Sequence, residues 1–194
     1  MNIEYLKDKS SNLFSGPLVL TPEIFLDERG YFFEPWNLKK FTEIAKLKID
    51  FVQDNESFSK KGTLRGLHYQ LNPHAQGKLI RVIKGEIFDV IVDIRKNSKT
   101  FSSWAGIKLN SKIKNQIWIP AGFAHGFLTL SREAIVGYKV TNFWVKELER
   151  TLYWKDNEIN IDWPIQENNL IPKLSLKDQK GNLLKELCDK GEIF

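Results

Sequence analysis

The sequence predicts an all-β domain, a sandwich or barrel of jelly-roll type, on three observations. Short apolar pieces punctuated by Gly, Pro, Asn and Ser fill most of the chain. One stretch, 86–95, alternates with period 2, and 13 Phe, 6 Trp and 5 Tyr supply bulk to fill a barrel interior.

Residues 86–95, EIFDVIVDIR, follow the turn signal Lys84-Gly85 and read most clearly as a strand. Phe88, Val90, Val92 and Ile94 share one face, and Ile87, Asp89, Ile91 and Asp93 the other. Further strands are expected over 78–83, 104–109, 116–119, 123–130 and 134–143. A helix is read over 37–48, NLKKFTEIAKLK: Leu38, Phe41, Ile44 or Ala45 and Leu47 recur at helical spacing, and Asn37 is placed to cap it. One more short helix is expected in the tail beyond Ser175, centred on 182–187. With no linker, repeat or low-complexity tract, residues 1–194 read as a single domain with a few short peripheral helices.

Composition narrows the function classes. Hydrophobic residues are 42% and charged residues 27%, an ordinary globular mix. The net charge of +5, from 29 basic and 24 acidic side chains, is scattered. It suits attraction of a polyanionic small molecule and lacks the dense basic stripe of a nucleic-acid binder. No apolar run is long enough to span a membrane, and MNIEYLKDKS lacks the apolar core of a signal peptide. The single cysteine, Cys188, excludes an internal disulfide framework and a Cys-based zinc cluster. A cytoplasmic protein with no membrane or nucleic-acid partner is expected.

None of the 12 glycines forms GxG or GxxxxGK, and GxSxG is absent, which argues against Rossmann, P-loop and α/β-hydrolase sites. The 3 histidines, His68, His74 and His125, form no HxH pattern, and no bound metal is expected. Acid–base chemistry near neutral pH therefore falls to His68 or His125. His74, after Pro73 in a polar loop, reads as solvent-exposed.

Three segments carry chemistry. In 53–78, Arg65 offers a planar fork suited to phosphate and His68 a proton acceptor. Three residues apart on a strand they point to opposite faces unless the chain bends, and Gly66 permits a bulge. Taken alone, the pair reads as Arg65 on a surface carboxylate and His68 as a satisfied core histidine. In 119–127, IPAGFAHGF, residues Phe123, His125 and Phe127 share a face, as do Val136, Tyr138 and Val140 on the next strand. A histidine and a tyrosine among aromatics either have shifted proton affinities or are hydrogen-bonded tips of a core. In 27–34, DERGYFFE, Arg29 and Glu34 either orient a polar ligand or are rim charges around a Phe32-Phe33 core pair.

Together the segments resemble the dTDP-4-dehydrorhamnose 3,5-epimerase family, a non-metal branch of the cupin-like β-barrels, over about Gly16 to Lys180. The strings that carry it are DERGYFFE (27–34), QDNESFS (53–59), GTLRGLHYQ (62–70), QGKL (76–79), FDVIVDIR (88–95), SKTF (98–101), IPAGFAHGF (119–127), Tyr138 and Leu174 to Asp178. The resemblance implies a cupin-like jelly roll that epimerises a dTDP-linked 4-keto-6-deoxyhexose at C3 and C5 through enolates, without cofactor or metal, and a homodimer. It implies His68 as base, Asp178 as its orienting carboxylate, Tyr138 as the acid on the opposite face and Lys78 as the cation at the enolate oxygen. Arg29, Glu34, Gln53, Asn55, Arg65 and His125 match substrate contacts, with Glu149 and Lys177 at the rim. Trp144 stands where Tyr is usual, Thr151-Leu152 where Gly-Ile is common, and Asn157 where Pro is frequent. Alternatives are a 3-epimerase of a related dTDP-4-keto-6-deoxysugar, a non-catalytic sugar-nucleotide-binding cupin and, more remotely, a metal-dependent oxygenase or a nucleic-acid binder.

Overall fold

The computed structural model describes residues 1–194, and two antiparallel sheets face each other in it. In chain order the strands are β1 (Asn2–Lys7), β2 (Leu13–Thr21), β3 (Phe25–Asp27), β4 (Gly30–Phe32), β5 (Gln53–Lys60), β6 (Leu64–Gln70) and β7 (Lys78–Lys84). They continue as β8 (Glu86–Asp93), β9 (Trp104–Asn110), β10 (Gln116–Ile119), β11 (Phe123–Thr129), β12 (Glu133–Val140) and β13 (Glu149–Thr151). The helices are α1 (Leu38–Ala45), α2 (Leu176–Gln179) and α3 (Leu184–Asp189). One sheet has the order β1-β2-β10-β7-β12-β5 and the other β13-β6-β11-β8-β9, while β3 and β4 form a separate hairpin. This is the expected jelly-roll arrangement.

Apolar alternation places the core. Phe14, Ile80, Ile87, Ile91, Ile117 and Phe127 meet between the sheets. The outer face of β8 is buried too, with Val90 and Val92 packed against Leu152, Ile159, Leu184 and Leu187. A strand covered on both sides needs two apolar faces, which is why Val90, Ile91 and Val92 follow one another without a polar break. Outside the other sheet, Leu18, Leu20, Leu79 and Trp118 are covered by Phe41 of α1 and by Ile49.

Several ends differ from the sequence reading. β8 stops at Asp93, because that carboxylate turns the chain: it accepts the Arg95 N–H at 3.0 Å and the Ser98 and Thr100 hydroxyls at 2.6 Å. β12 stops at Val140, and Phe143 and Val145 bond instead to the Gln70 carboxamide. Asn37 caps α1 as expected, but the helix ends at Lys46 in the left-handed region (φ 54°), leaving Leu47 exposed. The tail holds two short helices rather than one. Between them Asn182 accepts the Tyr153 N–H at 2.8 Å and donates its own N–H to the Thr151 carbonyl of β13 at 2.9 Å, and a Cβ on Gly181 would lie 2.7 Å from the Tyr153 Cα.

Candidate active site

The site begins with a defect in the β6–β11 ladder. His68 pairs with His125 and Arg65 with Phe127, so three steps on β6 oppose two on β11. This bulge brings Arg65 and His68, which a regular strand would separate, to the same side. Gly66 occupies it at φ +122°, and a Cβ there would lie 2.5 Å from the Gly126 Cα. Only two glycines facing each other allow the strands this close.

The resulting cavity, about 420 Å³, opens between the sheets. One sheet lines it with Gln53, Asn55 and Ser57 of β5, Lys78 of β7 and Tyr138 of β12; the other with Arg65, His68, His125 and Glu149. Trp144 stands at its edge. A space of this size suits a small organic ligand.

His68 Nε2 lies 2.6 Å from Oδ1 of Asp178. Asp178 is buried and delivered by α2, whose N-cap Ser175 accepts the Asp178 N–H. Burial alone would raise the Asp178 carboxyl, but the hydrogen bond and charge of His68 outweigh it and hold it below the usual carboxylate range. The second imidazole is paired in the same way: His125 Nε2 is 2.9 Å from Oδ2 of Asp89 on β8. Burial lowers the His125 pKa, and the Asp89 charge opposes that only in part.

Lys78 Nζ donates to the His68 carbonyl at 3.1 Å. Burial pulls its pKa down to about 8 against the opposing charges of Glu149 and Asp89. The Tyr138 phenol is pushed up by burial, with Arg65 acting the other way. Arg65 does not pair with a surface carboxylate. It donates to the Ser59 hydroxyl and the Phe58 carbonyl, each at 3.0 Å, as a fixed cation on the wall. Lys177 reaches Glu149 at 2.5 Å and ties α2 to β13 across the rim.

The remaining sites fall elsewhere. Arg29 pairs with Asp27 at 2.6 Å with its side chain 90% exposed, and Glu34 bonds Asn37 and Lys40, so neither lines this chain's cavity. Phe32 is not a core residue: it stands bare on the β3–β4 hairpin. His74 is half-buried rather than exposed, since its loop is held by Gln70. Sequence reasoning gave no site role to Asp89 or Gln70. Asp89 had a signal, being a carboxylate between Ile87 and Ile91 on an apolar face; Gln70 had none.

The model of the dTDP-4-dehydrorhamnose 3,5-epimerase family matches residues 12–186. The chain belongs to this family. The dTDP-4-dehydrorhamnose 3,5-epimerase of Shigella flexneri is 55% identical over 164 residues, covering 84% of this chain and 88% of that one. The crystal structure of dTDP-6-deoxy-D-glucose-3,5-epimerase from Legionella pneumophila, in complex with dTDP-4-keto-L-rhamnose, is 41% identical with a TM-score of 0.88, covering 99% of this chain and 97% of that one. A 3'-monoepimerase from Streptomyces bikiniensis, in complex with dTDP-quinovose, is 27% identical with a TM-score of 0.85 over 92% and 88% of the two chains. Proteins named as 3,5-epimerase and as 3'-monoepimerase thus share this fold, so the fold does not by itself set how many carbons are inverted.

Proposed function

We propose that the protein converts dTDP-4-dehydro-6-deoxy-D-glucose to dTDP-4-dehydro-L-rhamnose by inverting C3 and C5. The observation that carries this is an imidazole–carboxylate pair, a phenol and an ammonium facing one cavity from two sheets. Both carbons flank the C4 ketone, so removing either proton leaves an enolate. His68, oriented by Asp178, takes the proton on one face. Tyr138, on the opposite sheet, returns one to the other face, with its hydroxyl kept protonated by burial. Lys78 donates to the C4 oxygen as negative charge develops there. Arg65 serves the diphosphate, Gln53, Asn55 and Glu149 hold nucleotide and sugar, and Lys177 braces Glu149. The chemistry uses no redox cofactor or metal, and we assign the protein to the cytoplasm.

The whole chain acts as one domain, and the active form is a homodimer. Supporting this, the β3–β4 hairpin carries exposed Phe25, Leu26, Tyr31 and Phe32, a patch expected to be covered. A second copy seated there brings Arg29 and Glu34 towards a substrate that their own cavity does not offer them.

The test is incubation of the 4-keto sugar nucleotide with enzyme in D₂O, followed by proton NMR. Deuterium is expected at both C3 and C5, and His68→Ala should slow its entry by about 10²–10⁴. Exchange at C3 alone would identify a 3-epimerase, and binding without exchange a non-catalytic module.

A further inference from the structure

The lumen face of β8 carries Ile87, Asp89 and Ile91, two of them core residues around a carboxylate that is 0% exposed. Asp89 does not line the cavity. Its Oδ2 meets His125 Nε2 at 2.9 Å, while its Oδ1 has no hydrogen-bond partner. A buried carboxylate oxygen left open costs stability, so its retention behind a pocket calls for a reason. His125 stands directly across from His68 in the β6–β11 pairing, and each imidazole gives Nε2 to its own carboxylate. The cavity thus holds two such pairs side by side, of which the proposed reaction uses one as base.

We infer that Asp89 is a positioning residue: by taking the Nε2–H of His125 it leaves Nδ1 as a bare acceptor facing the sugar, so that His125 reads a substrate hydroxyl. This rests on the sugar-nucleotide reading above. An ionised carboxylate only accepts, so its imidazole partner must place a proton on Nε2. A neutral imidazole then has a lone pair on Nδ1. Burial favours that neutral form in His125. An acceptor cannot bond a ketone oxygen, whereas Lys78, with three N–H donors, can. Side by side, His125 and Lys78 therefore sort the two ends of a hydroxy-ketone, hydroxyl to the imidazole and ketone to the ammonium. This would set which way round the ring lies under His68.

Nitrogen-15 NMR of the histidine-labelled protein, without ligand and near neutral pH, tests the tautomer. One proton on Nε2 of His125 and none on Nδ1 is expected; a proton on Nδ1 overturns the inference. Asp89→Asn, whose amide can donate to Nε2, should move the proton to Nδ1 and lower kcat/KM by about 10–100-fold, the scale of one lost buried hydrogen bond. A folded variant with wild-type kcat/KM also overturns it. If the variant does not fold, the wild-type spectrum decides. Failure of the epimerase reading looks different: no deuterium enters the sugar even with His125 in the expected tautomer.

Discussion

Replacing Gly66 with alanine tests whether the β6 bulge builds the active site. The new Cβ would lie 2.5 Å from the Gly126 Cα and 2.8 Å from the His125 carbonyl oxygen. Ordinary carbon contacts are about 3.5–4.0 Å, so β6 and β11 must part by about 1 Å. Both obstacles are backbone, and no side chain can swing aside. Overpacking of this kind costs about 1–3 kcal/mol, and the positive φ adds about 1–2 kcal/mol. At about 2–4 °C per kcal/mol for a chain of this length, Tm should fall by about 4–20 °C. Gly191→Ala is the control. Its φ is +66° with nothing within 4 Å, so it carries the backbone cost alone. Parting the strands also moves His68, and a displacement of about 1 Å costs on the order of 10² in rate. Calorimetric melting of both variants and deuterium exchange into the sugar are the assays. The reasoning is refuted if Gly66→Ala melts with Gly191→Ala and exchanges at the wild-type rate.

The Lys78 ammonium, with its pKa near about 8, should make kcat fall as pH rises through that value, and Glu149→Gln, removing the largest opposing charge, should move the fall to lower pH; a pH–rate profile with an unmoved midpoint counts against it. Tyr138→Phe should cut kcat by about 10²-fold or more while KM stays within about threefold, because only proton return is lost; steady-state kinetics decide. The Asp178 carboxyl lies below its unfolded value of 3.8, so its pairing stabilises the fold above about pH 4 and is lost as pH falls further. Asp178→Asn should flatten that acid limb in Tm measured against pH, and an unchanged limb would show that the pairing adds nothing to stability.

Strands whose two faces are both apolar or cleanly alternating, β7 to β12, were legible to within a few residues, because burial writes itself into the pattern. β5 and β6 were not delimited: QDNESFSK and LRGLHYQ turn polar residues into the cavity, which erases the alternation that marks a strand. β1, with exposed Glu4 and Tyr5 beside Ile3, lies at a sheet edge and has little pattern to show. At the site, spacing alone left Arg65 and His68 undecided, and the bulge that unites them depends on Gly126, 60 positions from Gly66. The resemblance supplied His68, Lys78, Tyr138 and Asp178, and the fold brings them to one place. Asp89 was visible only as an acid out of keeping with its face, and its partner lies on another strand.

Gln70 has a consequence for how ligands enter. Its carboxamide donates to the carbonyls of His74 and Phe143 and accepts the Val145 N–H at 2.7 Å, while Gln53 accepts the Trp144 N–H at 3.2 Å. The backbone that carries the indole at the mouth is thus tied from both flanks before anything arrives. A ligand meets a rigid doorway, and docking forfeits little chain freedom that a floppy flap would have to surrender. Arrival should then be governed by diffusion and loss of hydration, with a single kinetic phase and no slow closing step.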